Sequence, residues 1–79
     1  MSPGIGLMKR RLETEESAIS LAISGITKKF KVKPNEIECL ETKYDNDSGD
    51  WYVAVGWEAN KAVIKMDSVQ AVILEINEI

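Results

Sequence analysis

The stretch Asp45-Asn46-Asp47-Ser48-Gly49-Asp50 is the densest grouping of potential metal ligands in the chain. Its carboxylates and amide could offer a divalent cation a set of hard oxygen donors. An EF-hand calcium loop, however, needs glycine at its sixth position and a bidentate glutamate at its twelfth. Counted from Asp45, those positions hold Asp50 and Gly56. Asp, Asn, Ser and Gly are also the residues that tight turns select, because they tolerate left-handed backbone or bond their own main chain. The stretch is therefore expected to be a hairpin turn, with neither a metal nor a cofactor bound.

Little else in the chain is suited to catalysis. There is no histidine, which removes the Ser-His and Cys-His nucleophile pairs and the common zinc sites. The single cysteine, Cys39, excludes an internal disulfide and has no basic neighbour in sequence to activate it. No carboxylate pair is marked as a general acid and base. The expectation is a protein without enzymatic activity.

Residues suited to binding are easier to find. Trp51 and Trp57 are either core residues or, where a sheet edge leaves them uncovered, anchors for a partner. Tyr44 and Tyr52 flank the same turn and join the candidate partner-binding set. Lys28, Lys29, Lys31 and Lys33 form a basic cluster that could meet phosphate, RNA or an acidic partner. The same lysines also suit the negative end of a helix dipole. Charge is divided along the chain: residues 1–33 carry a net +4 and residues 34–79 a net −7, which together give −3.

The elements that would position these residues follow from periodicity. At 79 residues, 44% hydrophobic and 29% charged, the chain is expected to form one globular domain over residues 14–79 after a flexible segment 1–13. Thr14 can cap a helix whose first turn carries Glu15 and Glu16. Ile19, Ala22, Ile23, Ile26 and Phe30 then fall on one helical stripe, and Pro34 ends the helix nearby. Gly25, costly inside a helix, implies that a strand approaches closely there.

From residue 37 the hydrophobic period becomes two. If Tyr44 lies opposite Trp51, then Thr42 meets Val53, Leu40 meets Val55 and Glu38 meets Trp57. A second turn at residues 58–61 puts Ala62, Ile64 and Met66 on the same face, and a third at 67–71 adds Val72, Leu74 and Ile76. Cys39 would then face away from the core beside Gly56. The outer face would hold the rows Glu41, Ala54, Lys65, Ile73 and Lys43, Tyr52, Asp67, Ala71, a pattern of a solvated surface. Residues 69–79 also fit a helical spacing, but their β-branched density favours a strand. The fold class is thus α+β: one N-terminal helix packed on a four-stranded antiparallel β-meander.

Residues 20–76 resemble the gas vesicle protein O family. In that family a helix ends near Leu-Thr-Gly, and a hydrophilic turn leads into a Gly-Trp-x-Val-x-Val strand. The matching residues are Ser24 and Gly25, then Asp50, Trp51, Val53 and Val55, and later Ser68 to Ala71; Asp50 stands in place of the family's glycine. The resemblance implies an accessory role in assembling gas vesicles through protein contacts. The layout is also similar to a PepSY-type unit, with Gln70 where that unit has glycine, which implies a peptidase-regulating inhibitor. The expected function is therefore a non-catalytic protein-interaction or accessory domain. The alternatives are a small acidic inhibitor, including a phage anti-defence protein, and RNA binding through Lys28 to Lys33. The expected partner is another protein or a second copy of the chain, with nucleic acid disfavoured and no membrane insertion. Lack of an apolar leader stretch points to the cytoplasm.

Overall fold

The computed structural model describes residues 11–79. Helix α1 (Glu15–Phe30) is followed by a short 3-10 turn (Pro34–Glu36). Four strands complete the chain: β1 (Glu38–Asp45), β2 (Asp50–Trp57), β3 (Asn60–Asp67) and β4 (Val72–Glu78). They form one antiparallel sheet in the order β1-β2-β3-β4, a meander, with α1 across one face. The expected α+β architecture is the one observed, and residues 72–78 are strand.

Local chemistry sets the ends of the helix. The Thr14 side chain accepts a hydrogen bond from the backbone N–H of Ser17 (3.1 Å), and Glu15 and Glu16 lie in the first turn. At the other end Lys31 adopts a left-handed conformation (φ 61°) and its N–H bonds the carbonyl of Thr27. The helix thus stops at this cap; Pro34, expected to end it, instead opens the 3-10 turn.

The buried face of α1 is centred on Ala18, Ala22 and Ile26, with Ile19, Ile23 and Phe30 at its margins. Two alanines on that line let the helix approach the sheet closely. Beneath it lie Val53, Val55, Ala62, Ile64 and Met66, all fully buried. A large aliphatic side chain buried in this way contributes about 1.5–3 kcal/mol. At Gly25 a methyl group would collide with Cδ1 of Ile73 on β4, so the close approach implied by that glycine is real.

The first hairpin has the expected register, with Tyr44 opposite Trp51 and Thr42 opposite Val53. Asp45 Oδ1 accepts the N–H of Asp47 (2.9 Å), the N–H of Gly49 bonds the Asp45 carbonyl, and Gly49 takes φ 77°. The Asp/Asn/Ser/Gly stretch therefore acts as a turn.

Three expectations need correction. Beyond Glu41, β1 is bulged: Cys39, not Leu40, lies opposite Val55, and Glu38 pairs with Gly56. Cys39 consequently packs against the core, with its sulfur 3.4 Å from Thr42 Oγ1, and Leu40 is 47% exposed beside Gly56. The β2–β3 loop is two residues, not four, so Ala54 meets Val63 and Tyr52 meets Lys65. This shift is even, so every side chain keeps its face. Finally, β4 is bulged between Glu75 and Ile73: Ile73 joins the core opposite Met66, and Val72 and Leu74 are exposed.

The N-terminal segment expected to be loose is described in part. Residues 1–10 lie outside the described residues. Arg11 and Leu12 are anchored, both N–H groups donating to the carbonyl of Ser68, and Leu12 is buried. The Trp51 indole N–H donates to the Leu12 carbonyl (2.9 Å). Ser68, itself fully buried, donates through both its N–H and its hydroxyl to the carbonyl of Gly49. Residues 11 and 12, the first hairpin turn and the β3–β4 turn are thereby joined at one end of the sheet.

The bulge in β1 makes a sharp pair of expectations. Val53→Lys puts a charge into the fully buried centre and should abolish cooperative folding, whereas Leu40→Lys should change stability by less than about 0.5 kcal/mol. Urea denaturation of the two variants would check this, and an equally damaging Leu40→Lys would place that side chain back in the core.

Candidate functional site

The candidate partner-binding residues separate into three places. At one end of the sheet Trp51 is 8% exposed, its ring 5.0 Å from that of half-buried Tyr44. Its indole N–H is committed to Leu12. This pair holds Leu12 against the sheet and offers a partner little surface.

At the other end Trp57 is 5% exposed and packs against Phe30, with ring centroids 4.9 Å apart. Lys28, Lys29, Lys31 and Lys33 are all exposed around this end, and Lys29 lies 5.7 Å from the centre of the Phe30 ring. Beside them is a cleft of about 370 Å³ whose lining includes Lys31 but also Glu36, Glu58 and Glu78. Carboxylates thus interrupt the basic cluster that the sequence presents as continuous. A phosphate backbone would meet both signs of charge here.

Glu58 carries backbone strain at this cleft. It opens the two-residue β2–β3 turn with φ 53°, a conformation that such turns require and that glycine or asparagine adopts most easily. Lys31, the other non-glycine left-handed residue lining the cleft, sits where helices usually place glycine.

Tyr52 lies on the third surface, the face of the sheet turned away from α1. With Ala54 and Val63 it floors a shallow hollow of about 180 Å³, flanked by Glu41 and Lys43. The rows across this face run Lys43, Tyr52, Lys65, Glu75 and Glu41, Ala54, Val63, Asn77. The charges thus lie mostly toward the margins, over a centre that is small and apolar. Leu40 on one edge strand and Val72 and Leu74 on the other, each 41–49% exposed, add apolar surface at the borders. Lys65 extends toward Asp50, 3.9 Å away, a carboxylate that is largely buried.

Alternation in the sequence assigns Leu40, Val72 and Leu74 to the core; in the structure they are the residues this surface gains. A signal for them does exist in the sequence. Cys39-Leu40 and Val72-Ile73-Leu74 are runs of adjacent apolar residues, which strict alternation cannot place on one face. Only the paired strand shows which member turns outward.

The Asp45 carboxyl is held below the ordinary value of 3.8, chiefly by the hydrogen bond from the N–H of Asp47. Among the described residues no group of three or more His, Cys, Asp or Glu could hold a metal ion, and no helix is long and apolar enough to cross a membrane.

These features define a small α+β domain whose sheet is covered on one side by α1 and, among the described residues, open on the other. Set against known protein families, curated proteins and solved structures, the chain matches none.

Two expectations follow from this geometry. Glu58→Gly relieves left-handed strain and should raise stability by up to about 1 kcal/mol, read as a thermal midpoint a few degrees higher. Asp45 should titrate below 3.8 in a carboxyl NMR titration. Because its folded-state value is depressed, its contribution to stability is present above 3.8 and is lost as pH falls through the lowered value. Asp45→Asn, which keeps an acceptor for the turn, should flatten that acid limb.

Proposed function

We propose that this chain is a non-catalytic protein-interaction domain that binds through the open face of its sheet. The observation that carries the reading is the pair of bulged edge strands. Each breaks its ladder at a leucine, and both Leu40 and Leu74 stand about half exposed beside a face whose centre is Tyr52, Ala54 and Val63. Solvated sheet faces ordinarily carry polar residues at their centre and avoid grouped apolar side chains. Here the centre is apolar, and the charged residues lie mostly around it, as in a protein–protein contact with a dry middle and a polar rim.

The aromatic residues support the same surface by elimination. Trp51 and Trp57 are buried and occupied within the domain, which leaves Tyr52 as the aromatic on the open face. The lysine cluster has carboxylates beside it, which disfavours RNA relative to protein. Assembly of gas vesicles, implied by the resemblance of residues 20–76, is one setting in which such an adaptor would serve.

A photo-reactive amino acid in place of Tyr52, compared with one at exposed Ser24 on the helix, tests the reading. Position 52 should give covalent adducts with polypeptide and position 24 should not. Adducts with nucleic acid, or equal yields at the two positions, would overturn the proposal.

A further inference from the structure

We infer that the slot between Trp51 and the Ser68 turn is a docking site for an extended, basic, leucine-bearing segment of polypeptide, and that Arg11 and Leu12 are its resident and displaceable occupant. The slot lies on the core side of the sheet, so the inference goes beyond the open-face reading and does not depend on it.

The two residues are held in the manner of a bound peptide. Consecutive N–H groups of Arg11 and Leu12 both donate to the carbonyl of Ser68, at 3.0 and 2.9 Å. The Leu12 carbonyl accepts the Trp51 indole N–H at 2.9 Å. Between these main-chain bonds a single side chain is buried: Leu12 is 5% exposed, whereas Arg11 and Glu13 on either side of it are exposed. Main-chain bonds of this kind supply affinity whatever the sequence, and the side-chain pocket selects the residue.

The walls of the slot are built without the occupant. Trp51 pairs with Tyr44 on β1 and Met66 on β3, and its ring rests against that of Tyr44. Ser68 is fixed from the first hairpin turn, its N–H (3.1 Å) and hydroxyl (2.6 Å) both donating to the Gly49 carbonyl. When Leu12 leaves, these bonds remain, while the indole N–H and the Ser68 carbonyl lose their partners. A preorganised site in that state favours refilling, by the same segment or by another that offers the same groups.

Charge narrows the occupant further. Asp45, Asp50 and Asp67 lie side by side across the sheet at this end, and the adjoining row adds Lys43, Lys65 and Glu75. Four acids against two lysines leave this end at a net −2. The residue ahead of Leu12 is Arg11. A segment with a basic residue before its leucine is thus attracted here, and an acidic one is repelled.

The tether decides how the site is used. A segment attached to the domain competes at high effective concentration, so a free one sees only the fraction of molecules in which Leu12 is released. The slot is closed at rest and opens to a partner in proportion to that fraction.

Titrating the full chain with a capped peptide that copies residues 9–14, Lys-Arg-Arg-Leu-Glu-Thr, tests this, read by the NMR resonance of the Trp51 indole N–H. The wild-type resonance should stay in place. Leu12→Asp, whose charge resists burial, should release the segment and shift the resonance, and the peptide should return it to the wild-type position. Leu12→Ala, which keeps the main-chain bonds, should bind the peptide more tightly than wild type and more weakly than Leu12→Asp. A peptide of the same charge with alanine in place of leucine should bind about tenfold more weakly.

A peptide that fails to bring the indole resonance of either variant to the wild-type position overturns the inference, as does equal binding of the leucine and alanine peptides. If circular dichroism shows Leu12→Asp unfolded, Leu12→Ala decides alone, by whether the leucine peptide displaces its weakened segment.

Discussion

Everything in this domain depends on how one helix covers four strands. A helix of sixteen residues is about 24 Å long and about 10 Å across with its side chains, enough to cover the two central strands and too little to cover all four. Ala18 and Ala22 bring it down onto Val53, Val55, Ile64 and Met66, which is where the fully buried side chains are concentrated. The outer strands must complete their burial by other means. Leu12, Phe30, Ile37, Ile73 and Ile76, brought in from the segment before the helix, the helix end and the sheet margins, fill that role.

The bulges belong to the same constraint. An edge strand presents unpaired backbone groups, and a bulge both interrupts that row and increases the local twist. In β1 and β4 the extra residue also changes which neighbour faces inward, bringing Cys39 and Ile73 to the core and releasing Leu40 and Leu74. What protects the edges therefore creates apolar surface at the borders of the open face. The knot of Leu12, Trp51, Ser68 and Gly49 fixes one end of the sheet, so this surface is presented on a rigid frame.

The binding surface proposed here thus arises from the way the core is closed. Tryptophan, the residue type that most invites a hot-spot reading, is consumed in closing the two ends of the domain. The open face relies on one tyrosine, small residues and released leucines, ringed by charges of both signs. A surface of that make-up suits a modest, reversible contact more than a tight one.

The sequence by itself determined the helix, the four strands, their order and the register of the first hairpin from its turn as far as Glu41. Those features rest on local chemistry: a Thr14 cap, a period of 3.6 and then of two, and a turn built from Asp, Asn, Ser and Gly. It also determined the face of every residue in β2 and β3, because an error of two residues in pairing leaves alternation intact. Only the tertiary structure decided the faces of Cys39, Leu40, Val72, Ile73 and Leu74. Where apolar residues are adjacent, alternation has two solutions, and the choice between them is made by which side chain the helix and the neighbouring strand can accommodate. Ile73 goes inward because Gly25 leaves room for it, and Leu40 goes outward because Gly56 leaves open the space beside it. The candidate site follows from those two choices, and so it was the least legible part of the chain.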